Sequence, residues 1–193
     1  MDGFIFYIKL GFNHVMDPGA YDHVLFLFAL ALPFKFKQWK AVLVLVTIFT
    51  VAHCLSLAMA VYGLLSVPVA WVEFLIPITI LATAVYNCLM KIDGEKHQNL
   101  GLHGAITAFF GLIHGFGFSN YFRMLMADEP EKFWPLLGFA TGIEISQVVV
   151  IFAALFVSFM AMDLLRVNKA FYIRLFSILI GIITIPMIVK AFP

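Results

Sequence analysis

Charge is what this chain has least of. Only 12% of its 193 residues are Asp, Glu, Lys or Arg, where a soluble domain carries about 25%. Hydrophobic residues make up 63% and the mean hydropathy is +1.02. No soluble fold hides that much apolar surface, so the chain reads as one integral membrane domain over residues 1–193. The net charge of +1 leaves no electrostatic basis for binding nucleic acid. There are two cysteines, Cys54 and Cys88, both inside apolar runs, which excludes a disulfide framework and a thiolate zinc site built on Cys-x-x-Cys. The opening MDGFIFYIKLGFN has no basic start and no small-residue cleavage site after it, so it does not read as a leader. Internal repeats and any soluble insert are absent, and so is a Ser-His-Asp or Cys-His nucleophile pattern.

What is present is an all-α pattern, a polytopic membrane helix bundle. Six spans are expected: Ala20 to Phe34, Lys40 to Leu64, Pro68 to Lys91, Gly101 to Asn120, Trp134 to Leu164 and Lys169 to Phe192. The first thirteen residues are too few to cross, since about 20 are needed. They predict a short helix lying in the interface or packed on the bundle. Eight basic residues fall on one side (Lys35, Lys37, Lys40, Lys91, Lys96, Arg166, Lys169 and Arg174) and four on the other (Lys9, Arg123, Lys132 and Lys190). The bias of Lys and Arg toward cytoplasmic loops then places both termini outside.

The few ionisable residues inside these spans converge in depth. GFNHVMDPGAYDH holds His14, Asp17, Asp22 and His23 directly before an apolar run. His53 lies thirteen residues beyond Lys40 and His114 thirteen beyond Gly101, each about 20 Å up a core of about 30 Å. Glu73 is about 8 Å below the outer start of its span, and Glu144 about 15 Å below its own. Charged groups in hydrocarbon are costly and face a bundle interior or a water-filled cavity. A shared cation satisfies histidines and carboxylates together. Imidazole nitrogen and carboxylate oxygen suit zinc, nickel, cobalt, copper or iron. Four histidines and four carboxylates exceed the needs of one tetrahedral ion, so either two ions bind or some groups orient the ligands.

Each residue also has a plainer reading. His53 serves equally as hydrogen-bonding glue between helices, beside Thr47, Thr50 and Ser56. Asp17 before Pro18 fits a helix N-cap with proline at the first helical position. Glu73 fits a protonated acid bonded to a carbonyl, and Pro77 four residues on removes the helical partner of the Glu73 carbonyl. Gly104, Gly111 and Gly115 form a small-residue stripe for close helix packing near His114. His103 fits a hydrogen-bonding or cytoplasm-facing residue better than a lower station on an ion route, and His97 a solvated loop. The plain readings explain the shared depth poorly.

Five stretches, in order, resemble one family. HVMDPGAYDHVLFLFAL resembles the start of HupE/UreJ-type membrane proteins, and TIFTVAHCLSL their threonine-x-alanine-histidine-serine helix. VEFLIPITI, GLIHGFGFS and GIEISQ are similar to the helices that follow, and the likeness covers nearly the whole chain. The spacer between His14 and Asp22 is longer than the commonest family form, and Cys54 stands where serine is usual. The resemblance implies a multi-pass protein of a bacterial inner membrane with hydrogenase or urease accessory functions. It implies a nickel or cobalt permease, with site residues His14, Asp22, His23, His53, Glu73, His114 and Glu144.

Two functions compete. One is a divalent-metal permease whose outer site captures the ion and releases it inward. Its inner half has few polar groups beyond His103, Tyr86, Asn87 and Ser146. The other is an intramembrane metal-dependent hydrolase acting on lipid, lipoprotein or peptide at the outer leaflet, with Glu73 or Glu144 as general base. The expected ligand set is His14, Asp17, Asp22, His23, His53, Glu73, His114 and Glu144 around nickel, zinc or cobalt, as one ion or two. The partners are the metal ion and membrane lipid. A third reading leaves the cluster only a structural role in a partner subunit.

Overall fold

The computed structural model describes residues 2–90 and 100–193. Lys91, Lys96 and His97 lie outside the described residues. Among the described residues seven α-helices follow one another: α1 (Asp2–Met16), α2 (Asp22–Ala31), α3 (Trp39–Val61), α4 (Val69–Leu89), α5 (Leu100–Leu125), α6 (Phe133–Phe159) and α7 (Lys169–Lys190). A 3-10 turn, Phe36–Gln38, leads into α3, and a π-helical turn, Met160–Leu164, ends α6. Among the described residues there is no strand. Among the described residues, five helical segments are long and apolar enough to cross a membrane: Phe36–Val61, Val69–Leu89, Leu100–Leu125, Phe133–Leu164 and Lys169–Lys190. The chain is a multi-pass membrane protein.

Local chemistry sets several ends. α3 stops at Val61, short of the expected Leu64, because Gly63 adopts φ 71°. Its N–H reaches the Ala60 carbonyl while the Leu64 N–H reaches Met59, a Schellman closure. The Asn168 side chain caps α7 by accepting from the Ala170 and Phe171 amides at 2.9 and 3.2 Å. α4 continues through Pro77, which is buried inside it.

The expected first span, Ala20 to Phe34, is replaced by a ten-residue helix. At 1.5 Å per residue it is about 15 Å long, half a bilayer core. The N-terminal helix takes the second of its two expected arrangements, packed on the bundle. It packs along α6, because three glycines let the backbones meet. A Cβ on Gly142 would stand 2.0 Å from the Ile8 carbonyl oxygen, and one on Gly11 would stand 2.2 Å from that of Phe139. Gly138 lies against Phe4 and Tyr7. Phe4 therefore matches Gly138, and Ile8 matches Gly142, so α1 and α6 run in the same direction. α2 carries on that way. His23 at its start stands beside His53 and His114, and near its end the Ala29 carbonyl accepts from Asn87, two residues from the end of α4. Phe28 meets Phe176 of α7. α1 and α2 thus follow each other along the bundle, broken at residues 17–21.

α3 and α5 are the other tight pair. A Cβ on Gly115 would come 2.0 Å from Ser56 Oγ and 2.1 Å from the His53 carbonyl oxygen, and one on Gly111 would stand 2.7 Å from the Phe49 carbonyl oxygen and 3.0 Å from the Ala52 Cβ. The glycine stripe does bring α3 against the His114 face. Phe26, Phe49, Phe122 and Phe139 fill the centre around these contacts. Val51, Ile182 and Val189 point outward, as lipid-facing positions should.

Candidate metal centre

The break between α1 and α2 lands where α3 and α5 each present a histidine. His14 lies in the last turn of α1 and His23 in the first turn of α2. Their ring centroids are 4.7 Å apart, and His53 lies 5.8 and 5.6 Å from them. One ligand nitrogen from each of His14, His23 and His53 falls within 4.8 Å of the others. His114 stands next to His23, with centroids 5.3 Å apart. His23, His53 and His114 are almost wholly buried. Four helices therefore deliver four imidazoles to one place.

Their hydrogen bonds leave the inward nitrogens open. His114 Nδ1–H donates to the Phe110 carbonyl at 2.9 Å. His23 Nδ1 lies 3.1 Å from Asp22 Oδ1, which also accepts from the His23 amide at 2.9 Å. With a proton held on Nδ1, Nε2 of each ring is a lone-pair donor. Nε2 of His14, His23 and His114 and both nitrogens of His53 are buried without a hydrogen-bond partner. An unpartnered buried polar atom costs about 1–3 kcal/mol. Imidazoles fixed at Nδ1 by a carboxylate or carbonyl, with Nε2 free, are the usual form of metal-ligating histidine. Phenylalanines wall the group: His14 lies 4.1 Å from Phe118, and Phe49 flanks His23, His53 and His114.

The carboxylates are distributed differently from the expectation. Asp22 is at the site, holding His23. Asp17 is exposed and caps no helix. Its Oδ1 accepts from the Gly19 amide at 2.8 Å, closing a turn, while Tyr21 occupies the α2 N-cap position. Glu73 is exposed on α4, beside the buried Val72 and Ile76, and turns away from the bundle interior. Glu144 faces α3. Its Oε1 accepts from Thr47 at 2.7 Å, and its Oε2 pairs with Thr50, one turn along α3 from His53. Thr47 and Thr50 thus serve Glu144, and Ser56 bonds the His53 carbonyl at 2.9 Å. Gln147, three residues after Glu144, joins through Thr50 at 3.1 Å. Its spacing in GIEISQ is the signal that sequence reading passed over, as is the Gly138–Gly142 pair that docks α1.

Two cavities flank the histidines. A cleft of about 380 Å3, lined by Asn13, His14, Asp17, Phe118 and Tyr121, reaches the site from the α1 side. A larger, mostly apolar cavity of about 430 Å3 lies beyond Phe26 and Phe110, between α2, α4 and α5. It collects Tyr86, Asn87 and His103, three of the polar groups expected in the inner half. Ser146 instead bonds the Ile143 carbonyl. Cys54 and Cys88 are free thiols.

The family model described as HupE / UreJ protein matches residues 1–191. The chain belongs to the HupE/UreJ family. Neither curated proteins nor solved structures gave a match. HupE/UreJ proteins are linked to nickel and cobalt handling, and the His14–His23–His53 group gives this member a nitrogen set able to bind such an ion.

Proposed function

We propose that this HupE/UreJ protein is a permease for a divalent transition metal of the nickel and cobalt type. The observation that carries the reading is the convergence of buried, unpartnered imidazole nitrogens from four helices. His14, His23 and His53 are the ligands, and His114 completes the set when the ion needs a fourth nitrogen. Asp22 orients His23 and adds negative charge beside the cation. Asp17, in the mouth of the 380 Å3 cleft, attracts the hydrated ion on its way in. Nitrogen ligands favour nickel, cobalt, zinc or copper over magnesium or calcium. Glu73 drops out of the ligand set because it is exposed.

In this reading α1 and α2 form a sixth crossing, broken at the site, with both termini on the outer side of a bacterial inner membrane. Discontinuous helices bearing the binding site are a recurring transporter device. The C-terminal end of α1 carries the negative end of its dipole toward the ion, and Asp22 offsets the positive start of α2. The 430 Å3 cavity beyond Phe26 and Phe110 is the inner vestibule, and those two rings separate it from the histidines. The hydrolase alternative has less support, since Glu73 is exposed on α4 and both oxygens of Glu144 pair with threonine hydroxyls.

The test is uptake of Ni2+ or Co2+ by proteoliposomes. Wild-type protein should carry the ion above empty vesicles, and His23→Ala should not. Vesicles that take up no more metal than the protein-free control would remove the permease reading.

A further inference from the structure

α4 and α5 touch at two levels and part between them. At one level a Cβ on Gly117 would stand 2.8 Å from Ile76 Cδ1 and 3.6 Å from Val72 Cγ1. At the other, the Tyr86 and His103 rings lie 5.8 Å apart, centroid to centroid. From Ile76 to Tyr86 the helix advances about 15 Å, at 1.5 Å per residue. The cavity of about 430 Å3 lies in that gap. Its floor is α2, through the buried Phe26, Ala29, Leu30 and Pro33. Its rim is built from exposed residues, Ala82 and Tyr86 of α4 and Ala105, Ile106 and Phe109 of α5. A buried floor with an exposed rim makes a side window in the bundle, and the small side chains of Ala82 and Ala105 leave it open.

The walls select the occupant. The Thr83 hydroxyl is spent on the Thr79 carbonyl at 2.9 Å, and the Asn87 amide on the Ala29 carbonyl at 2.7 Å. What remains along the length of the cavity is mostly carbon. A buried water needs two to four polar partners, and apolar cavities stay dry and take apolar guests. Left empty, a void of this size forfeits dispersion contacts along every wall. The rim belongs to the membrane-crossing segments Val69–Leu89 and Leu100–Leu125, so the window faces hydrocarbon. Its length of about 15 Å is half of a core of about 30 Å, the depth of one leaflet. The lining is also graded. Tyr86, Asn87 and His103 gather toward the Leu89 end of α4, while Phe26, Phe109 and Phe110 lie farther in. Tyrosine is favoured at the boundary between lipid and water. An amphiphile with its polar end at Tyr86 and its tail toward Phe26 matches both ends.

We infer that the cavity between α2, α4 and α5 binds one acyl chain of a phospholipid, which enters sideways past Ala82 and Ala105 from the leaflet at the Leu89 end of α4. The tip of the chain rests against Phe26 and Phe110. Those residues also touch the histidine centre: the Phe26 ring lies 5.5 Å from that of His114, and the Phe110 carbonyl accepts from His114 Nδ1–H. Lipid binding needs no metal ion and stands apart from the metal reading. Where that reading holds, ion and chain compete for the same volume, and a seated chain plugs the inner route until it withdraws.

Photolabelling in metal-free proteoliposomes tests this. The probe is a phosphatidylcholine with a diazirine near the end of one acyl chain, and the adducts are mapped by mass spectrometry. Wild-type protein should be labelled at Ala29 and Leu30, which lipid outside the bundle cannot reach, as well as at the outward-facing Val51. Ala82→Phe and Ala105→Phe place a ring in the window at exposed positions. Both should lose the α2 adducts and keep the one at Val51. Labelling of Val51 without α2 in wild type overturns the inference, and this result requires no variant to fold. Persistence of the α2 adducts in both variants overturns entry between α4 and α5. Labelling of Ala29 and Leu30 by a charged, water-soluble diazirine would mean a water-filled cavity and also overturns it. With no ion in the assay, its failure leaves the permease reading standing, and a failure of metal uptake leaves the lipid site standing.

Discussion

Asp22 accepts two hydrogen bonds from His23, its neighbour in the chain, one from the ring at 3.1 Å and one from the amide at 2.9 Å. A carboxylate at the first position of a helix thereby holds the next residue's imidazole with Nε2 turned to the other histidines. Removing that hold should cost 10–100-fold in metal affinity, the usual penalty for losing a partner that orients a ligand. Asp22→Ala should show the full loss. Asp22→Asn should lose less, since its amide oxygen still accepts from Nδ1–H. Equilibrium dialysis with metal analysis measures both, and equal loss in the two variants would mean that charge alone matters.

His53 has no hydrogen-bond partner at either nitrogen and no exposed surface. If it were helix glue, replacing it would weaken the fold. As a ligand awaiting an ion, it should behave oppositely. His53→Phe should abolish metal binding while leaving the melting temperature of ion-free protein in detergent unchanged or higher, because two unpartnered polar atoms disappear. Wild-type protein at a hundredfold excess of Ni2+ over its Kd should gain about 2.7 kcal/mol, and the variant should gain nothing. A large drop in ion-free stability would return His53 to a structural role.

Gly142 touches no candidate ligand, yet the site depends on it. A side chain there meets the Ile8 carbonyl at 2.0 Å and must push α1 off α6. Gly142→Val should destabilise the protein by about 1–3 kcal/mol or more and weaken metal binding through displacement of His14. Gly3→Ala, with nothing near its Cβ, is the control. Thermal melts and metal titration of the pair test the docking of α1. Normal binding by Gly142→Val would mean that His14 is dispensable.

Glu73 supplies the contrast. It was expected in the ligand set but is exposed on α4. Glu73→Gln should bind metal within about twofold of wild type, as surface substitutions usually do little. A tenfold loss would put Glu73 back among the ligands through a rearrangement of α4.

The sequence alone determined the membrane class, the helical pattern and the level of the polar groups. Each follows from composition or from counting 1.5 Å per residue along a span. Depth counting put His53 and His114 at one height, and they do meet there around His23. The same counting could not give rotation about a helix axis, because apolar residues surround each polar one on all sides of these segments. Rotation is decided by packing: Val72 and Ile76 turn inward and carry Glu73 out, while Glu144 turns to Thr47 and Thr50. For the first sixteen residues the sequence left two arrangements open, in the interface or on the bundle. A fifteen-residue helix is too short to cross by itself, and only the backbone contact at Gly11, Gly138 and Gly142 sets it in line with α2 and brings His14 to the other histidines.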